Sequence, residues 1–145
     1  MSARLSSENI HGTTVARDGR AVMLLGPSGS GKSDLALRLL EHGFALVSDD
    51  RTLIRRDGER LIVSAPSTIR GKMEVRGLGI VEMPCVDDVP LALAVELTSD
   101  MARMPDESRE RTFLSISIPL VSIDAMTPSA TAKVALALQH FGVPG

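Results

Sequence analysis

The chain has 145 residues and a mass of 15.4 kDa, a length that fits one domain. Its 16 basic residues against 18 acidic ones give a net charge of −2, and only 2% of the residues are aromatic. A dedicated nucleic-acid binder carries a basic face or aromatic stacking platforms, so the composition excludes that class. A single cysteine cannot form an intramolecular disulfide or a cysteine-based zinc site.

The sequence shows no apolar run that approaches the ~20 residues of a membrane-spanning helix. The first ten residues also lack the apolar core of a secretory signal peptide. We therefore expect a cytoplasmic protein that has neither a membrane nor a nucleic acid as its partner.

The first fifty residues predict a strand–loop–helix–strand unit. A β-branched segment over 10–16 predicts the first strand, and the apolar run 21–25 predicts a strand that is buried on both faces. Residues 34–43 carry leucines at helical spacing and end in a glycine, which predicts a helix and its C-terminal stop. A second apolar run, 44–50, predicts a strand that ends in two aspartates.

The rest of the chain predicts strands more than helices. An Asp-Gly pair at 57–58, between two alternating segments, is a strong hairpin signal. Segments 91–97 and 113–123 predict further strands, residues 99–112 predict a polar loop, and residues 128–140 predict a C-terminal helix. We expect an α/β fold that is built on a strand-rich mixed sheet with few helices.

The loop after the second predicted strand carries a phosphate-binding motif. Residues 26–33, GPSGSGKS, fit G-x-x-x-x-G-K-[ST] between a predicted strand and a predicted helix, which disfavours an accidental match in a flexible linker. The glycines let backbone N–H groups turn inward around phosphate oxygens, while Lys32 would hold phosphate charge and Ser33 would ligate Mg²⁺. The predicted nucleotide-binding residues are Gly26, Pro27, Ser28, Gly29, Ser30, Gly31, Lys32 and Ser33.

Two adjacent carboxylates, Asp49 and Asp50, end the predicted strand over 44–50. The carboxyl ends of strands converge on the ligand crevice in α/β sheets. Because neighbouring residues on a strand point to opposite sides, we expect one aspartate to help hold Mg²⁺ and the other to accept a hydroxyl proton. An ordinary turn with capping aspartates is the alternative at this point.

The phosphate-binding motif does not by itself separate hydrolysis from transfer to a metabolite or to a protein. The N-K-x-D signature of guanine recognition is absent from the sequence, which argues against a GTPase. A small-molecule kinase or NTPase and a non-catalytic, nucleotide-sensing module both stay open.

Residues 73–80, MEVRGLGI, resemble the signature of the bacterial HPr kinase/phosphorylase family. His11, the 26–33 motif and the aspartate pair fall where that family has its other landmarks. The resemblance implies an ATP- and Mg²⁺-dependent protein serine kinase acting on HPr, the phosphocarrier of the sugar phosphotransferase system, or on an HPr-like protein. It also implies reverse phosphorolysis in many members, and a hexamer whose P-loop core is related to phosphoenolpyruvate carboxykinase.

The resemblance further implies roles for individual residues. Asp50 matches the proton acceptor of the kinase reaction, and Glu74 matches a second metal-associated residue beside Ser33 and Asp49. Arg103 is the best match to a catalytic arginine in a mobile loop. The implied catalytic set is His11, Lys32, Asp50 and Arg103. A flexible, cationic segment suited to positioning phosphate or the incoming serine comprises Arg76, Gly77 and Gly79.

Two features depart from the family's pattern. Only ten residues precede His11, which resembles the short, catalytic-domain-only form known from some alphaproteobacteria. We therefore expect one P-loop kinase domain over residues 1–145 without a separate N-terminal domain. The family's segment for dephosphorylation is basic and contains glycine, whereas residues 122–130 contain no Lys, Arg or Gly. This difference argues against phosphorolysis and leaves the kinase residues in place.

Overall fold

The computed structural model describes residues 7–99 and 109–144. Over these ranges the chain forms eleven strands and two helices. In chain order they are β1 (Ser7–His11), β2 (Thr13–Arg17), β3 (Arg20–Leu25), α1 (Lys32–Leu40), β4 (Ala45–Ser48), β5 (Arg51–Asp57), β6 (Arg60–Ser64), β7 (Lys72–Val75), β8 (Gly79–Glu82), β9 (Val89–Leu97), β10 (Arg109–Phe113), β11 (Ile116–Ile123) and α2 (Ala130–Phe141).

Nine of the strands form one mixed sheet. Seven follow the order β1-β5-β6-β9-β3-β2-β4, while β11 pairs with β9 and β10 pairs with β11. Strand β9 runs parallel to β3 and to β11, and the other pairs in this sheet are antiparallel. Strands β7 and β8 form a separate hairpin. The expected strand-rich mixed sheet with few helices is confirmed.

Apolar alternation along β3 builds a core on each face of the sheet. Val22 and Leu24 belong to the cluster that includes residues of both helices. Met23 and Leu25 belong to a second cluster, with residues from β5, β6 and β10. Fully burying an aliphatic side chain stabilises a fold by roughly 1.5–3 kcal/mol. The buried side chains of β3 therefore fix the position at which the following loop begins.

The predicted strand over 10–16 is instead two strands that meet at Gly12. A Cβ at Gly12 would lie 3.1 Å from the carbonyl oxygen of Leu24, so the chain passes β3 too closely for a larger residue. Strand β1 pairs with β5, whereas β2 pairs with β3 and β4. The predicted strand over 44–50 is also shorter, because β4 ends at Ser48.

The prediction of a loop over 99–112 and a single strand over 113–123 is wrong in its details. Residues 109–113 form β10, which pairs with β11 through a tight turn at Leu114 and Ser115. Both turn residues have positive φ, 49° and 68°, as a type I′ hairpin turn requires. Residues 100–108 lie outside the described part of the chain.

The two predicted helices and the hairpin at 57–58 are confirmed. Helix α1 ends at Leu40, the chain then turns through Gly43, and β5 and β6 pair across residues 58–59. Neither helix in the described ranges has the length and apolar character needed to cross a membrane.

Candidate active site

The loop over 26–31 joins β3 to the N-terminus of α1. Gly29 and Gly31 have φ of 83° and 96°, in the left-handed region that glycine adopts without strain. The N–H of Leu35 donates to the carbonyl of Gly31 at 2.9 Å, so α1 begins directly after the loop. The first backbone N–H groups of a helix have no partner within it, and they make this junction suitable for an anion.

Lys32 is buried at this junction with only 7% of its surface exposed. Its Nζ donates to the carbonyl oxygens of Gly26 at 2.7 Å and of Pro27 at 3.0 Å. Among the residues that the structure describes, no carboxylate forms an ion pair with it. An ammonium has three donors, so a further donor is left for an anion that would also balance the buried charge.

Gly26 and Ser30 show how tightly the loop is closed. A Cβ at Gly26 would lie 2.7 Å from the Oγ of Ser30. That Oγ is buried and has no hydrogen-bond partner among the described residues. A glycine-dependent loop around an uncompensated lysine is the observation that fits a nucleotide phosphate to this site.

Asp49 lies beneath the first turn of α1 and is 6% exposed. Its Oδ1 accepts hydrogen bonds from the Oγ of Ser33 at 2.7 Å and the Oγ1 of Thr13 at 3.2 Å. Its Oδ2 accepts one from the backbone N–H of Glu74 at 3.1 Å. The carboxylate therefore links α1, β2 and β7. The hydroxyl and carboxylate oxygens of Ser33, Asp49 and Glu74 are the hard ligands that fit Mg²⁺.

Asp50 has different surroundings, since its side chain is 65% exposed and lines a cleft beside the phosphate loop. Its Oδ1 lies 3.1 Å from the Nε2 of His11. The predicted reason for this difference is wrong, because Asp49 and Asp50 lie in the turn between β4 and β5 and not on a strand. A left-handed backbone at Asp50, with φ of 71°, turns the chain between the two carboxylates.

A cleft of about 740 Å³ opens beside the phosphate loop, within the size range of small-molecule sites. The predicted site residues that line it are His11, Ser28, Gly29, Gly31, Lys32, Ser33, Asp50, Glu74 and Arg76. Gly77 and Gly79 do not line it and lie at the turn of the β7–β8 hairpin, with φ of 88° and 89°. Arg103 lies outside the described residues.

The pocket is also lined by residues that the sequence did not indicate. Arg38 lines it, and its guanidinium donates to the carboxylate of Asp34 at 3.2 Å and to the carbonyl of Ala125. The i,i+4 spacing of Asp34 and Arg38 is a signal that could have placed both on one face of α1. Ala125 and Met126 line the pocket from the turn before α2, where nothing in their residue types indicates a site.

No group of three or more His, Cys, Asp and Glu side chains gathers as a metal cage within residues 7–99 and 109–144. Mg²⁺ is usually bound by one or two carboxylates together with substrate phosphates and water. One or two carboxylates beside the phosphate loop would match that pattern.

Comparison with known sequences gives consistent matches. Residues 3–138 match the family model described as HPr Serine kinase C-terminal domain. The HPr kinase/phosphorylase of Prosthecochloris aestuarii is 35% identical, over 80% of this chain and 38% of that protein. The HPr kinase/phosphorylase of Lactobacillus delbrueckii subsp. bulgaricus is 32% identical, over 79% of this chain and 40% of that protein. The chain thus spans about two fifths of the length of these relatives.

A solved structure shares the fold. The structure of the Hpr(Ser) kinase/phosphatase from Coxiella burnetii superposes with a TM-score of 0.80, covering 91% of this chain and 94% of that chain. The two sequences are 23% identical, so the likeness concerns the arrangement of strands and helices.

Proposed function

The chain belongs to the HPr serine kinase C-terminal domain family, and on that premise we propose that it uses ATP and Mg²⁺ to phosphorylate a serine of HPr or an HPr-like protein. One observation carries the proposal. The two adjacent acids are divided between a buried place under Ser33 and an open place in the pocket beside the phosphate loop. Phosphoryl transfer needs both a metal ligand and a proton acceptor at such a site.

The phosphate loop and Lys32 would bind the nucleotide. The buried ammonium and the N-terminus of α1 would hold the β- and γ-phosphates, with the glycines giving the backbone close approach. Ser33, Asp49 and Glu74 would hold Mg²⁺. The metal, when bound, supplies charge neutralisation at the phosphate oxygens.

Asp50 would accept the proton of the incoming serine. As the serine oxygen forms its bond to the γ-phosphorus and the bond to ADP breaks, the hydroxyl proton passes to the Asp50 carboxylate. His11, at 3.1 Å from Asp50 Oδ1, would hold that carboxylate in one orientation. A positioned base of this kind contributes on the order of 10²–10⁴-fold to a rate.

The β7–β8 hairpin supports a protein substrate over a small polar metabolite. Glu74, near the end of β7, and Arg76, in the turn, line the pocket. Leu78 in the turn and Ile80 in β8 are 76% and 71% exposed. A protein substrate would cover these apolar side chains beside the site, whereas a small polar metabolite would leave them in water. Arg76, together with Gly77 and Gly79, would position the serine-bearing segment against the phosphates.

Incubation of the purified protein with ATP, Mg²⁺ and HPr tests the proposal. We expect phosphoserine on HPr by mass spectrometry, none on HPr whose target serine is replaced by alanine, and none after EDTA. Nucleotide turnover that is independent of HPr would instead identify a small-molecule kinase or NTPase. Nucleotide binding without turnover would identify a sensing module.

A further inference from the structure

Buried polar side chains gather where β1 passes into β2 and β4 passes into β5. In the described part of the chain, every buried polar or charged residue except Lys32 lies at this junction. Those at the junction are Thr13, Thr14, Ser48, Asp49 and Thr52. Buried hydroxyls and carboxylates are costly unless they are hydrogen-bonded, so this cluster holds a defined arrangement.

Thr13 is the member of this cluster that contacts both acids. It is fully buried, and its Oγ1 donates to Oδ1 of Asp49 at 3.2 Å. The same Oγ1 accepts a hydrogen bond from the backbone N–H of Asp50 at 3.1 Å. A hydroxyl can donate one hydrogen bond and accept two, so it makes both contacts at once.

The backbone at Asp50 needs such support. Its φ of 71° is uncommon for a residue other than glycine and persists only where neighbouring groups fix it. The N–H of Asp50 is held by Thr13, and its carbonyl oxygen accepts from the N–H of Gly12 at 2.9 Å. The turn that separates the two carboxylates is therefore pinned from the start of β2.

We infer that Thr13 is a positioning residue for the phosphoryl transfer proposed above. Its expected effect on the transfer rate rests on that proposed function. Its single hydroxyl keeps the Asp49 carboxylate under Ser33 and keeps Asp50 turned into the pocket. Valine has the same shape as threonine but removes both hydrogen bonds, and serine restores them without the methyl group.

Thr14 offers a matched control. It is adjacent, equally buried and hydrogen-bonded through its hydroxyl, but its partner is the Oγ1 of Thr52 at 2.8 Å and neither acid. A general loss from burying valine in place of a bonded threonine would affect Thr13→Val and Thr14→Val alike. A positioning role would affect Thr13→Val alone.

The experiment measures kcat for transfer to HPr and, separately, the Mg²⁺ dependence of binding of a fluorescent ATP analogue. Urea denaturation of each variant reports its stability. We expect Thr13→Val to lower kcat and to weaken Mg²⁺-dependent binding by roughly 10–100-fold, the range found when the partner of a metal ligand is removed. Thr13→Ser and Thr14→Val should stay close to the wild type in both measurements.

Equal activity and Mg²⁺ dependence of Thr13→Val and Thr14→Val would overturn the inference, and so would a Thr13→Ser variant as impaired as Thr13→Val. If either valine variant does not fold, Thr13→Ala and Thr14→Ala replace the pair and are judged by the same comparison. A wild-type protein that does not phosphorylate HPr would refute the proposed function, while the Mg²⁺-dependent binding data would still decide the role of Thr13.

Discussion

Among single residues, Lys32 gives the clearest prediction for ATP binding. Its charge is buried against two carbonyl oxygens, without a carboxylate partner in the described ranges. A charge-assisted hydrogen bond contributes roughly 1.5–3 kcal/mol, so Lys32→Ala should weaken ATP binding by about 10–100-fold and remove most transfer. Calorimetry measures the affinity, with the exposed Lys133→Ala on α2 as the control. Unchanged ATP binding by Lys32→Ala would contradict the assignment of the loop.

The residues of the site differ in how far the sequence alone could indicate them. The loop over 26–33 is predictable because each residue type has a task at a fixed spacing. Thr13 is not, because a threonine in a β-branched segment looks like any strand residue. Its role depends on Asp49, which lies 36 positions further along the chain.

At the scale of elements, the β7–β8 hairpin carries the prediction on substrate binding. Replacing Leu78 and Ile80 by serine removes apolar surface that HPr would cover, without touching the pocket. Because burying one such side chain is worth about 1.5–3 kcal/mol, the double variant should raise the KM for HPr by at least 10-fold. The KM for ATP should not change.

Steady-state kinetics with each substrate varied in turn checks this expectation. Leu136→Ser is the matched control, since Leu136 is a 53% exposed apolar residue on α2 that does not line the pocket. If the KM for HPr is the same in the hairpin variant, the control and the wild type, the hairpin does not bind the carrier protein.

Elements with a local pattern were predictable, and those set by distant packing were not. Strand β3 is buried on both faces, so its sequence is a continuous apolar run over 21–25, and that run predicts a strand. Strand β10 was missed because four of its five residues are exposed and polar, so its pairing with β11 leaves no apolar alternation. The break at Gly12 depends on the nearby carbonyl of Leu24 and has no signal in the flanking residues.

At the scale of the whole molecule, the sheet order brings the site together. His11, the phosphate loop, the Asp49–Asp50 turn and β7 are distant in sequence. Strand β2 lies between β3 and β4, which places the phosphate loop beside the Asp49–Asp50 turn, and His11 comes just before β2. Strand β7 lies outside this sheet and joins the site through the hydrogen bond from the Glu74 N–H to Asp49. Sequence patterns predict the strands, but they do not predict which strands become neighbours. The hexamer that the family resemblance implies is a separate proposal, which light scattering of the purified protein would measure.

The part of the pocket wall just before α2 affects whether the protein can remove phosphate from phosphoserine-HPr by phosphorolysis. Ala125 and Met126 line it without adding a cation, and the guanidinium of Arg38 is already engaged by Asp34 and Ala125. Phosphorolysis would need inorganic phosphate bound beside phosphoserine, and two anions require more positive charge than one. We expect little or no pyrophosphate from phosphoserine-HPr and phosphate. Pyrophosphate release at a rate comparable to the forward transfer would show that this wall does not limit the reaction.

The most direct test of the account is a single-turnover comparison of the wild type with Asp50→Asn, at saturating ATP, Mg²⁺ and HPr. The Asp50 side chain is open to the pocket and makes none of the hydrogen bonds that hold the Asp49 carboxylate, so the variant should bind ATP like the wild type. Phosphoserine should form at least about 10²-fold more slowly, because the asparagine cannot take the serine proton. Transfer by Asp50→Asn at the wild-type rate would contradict the account.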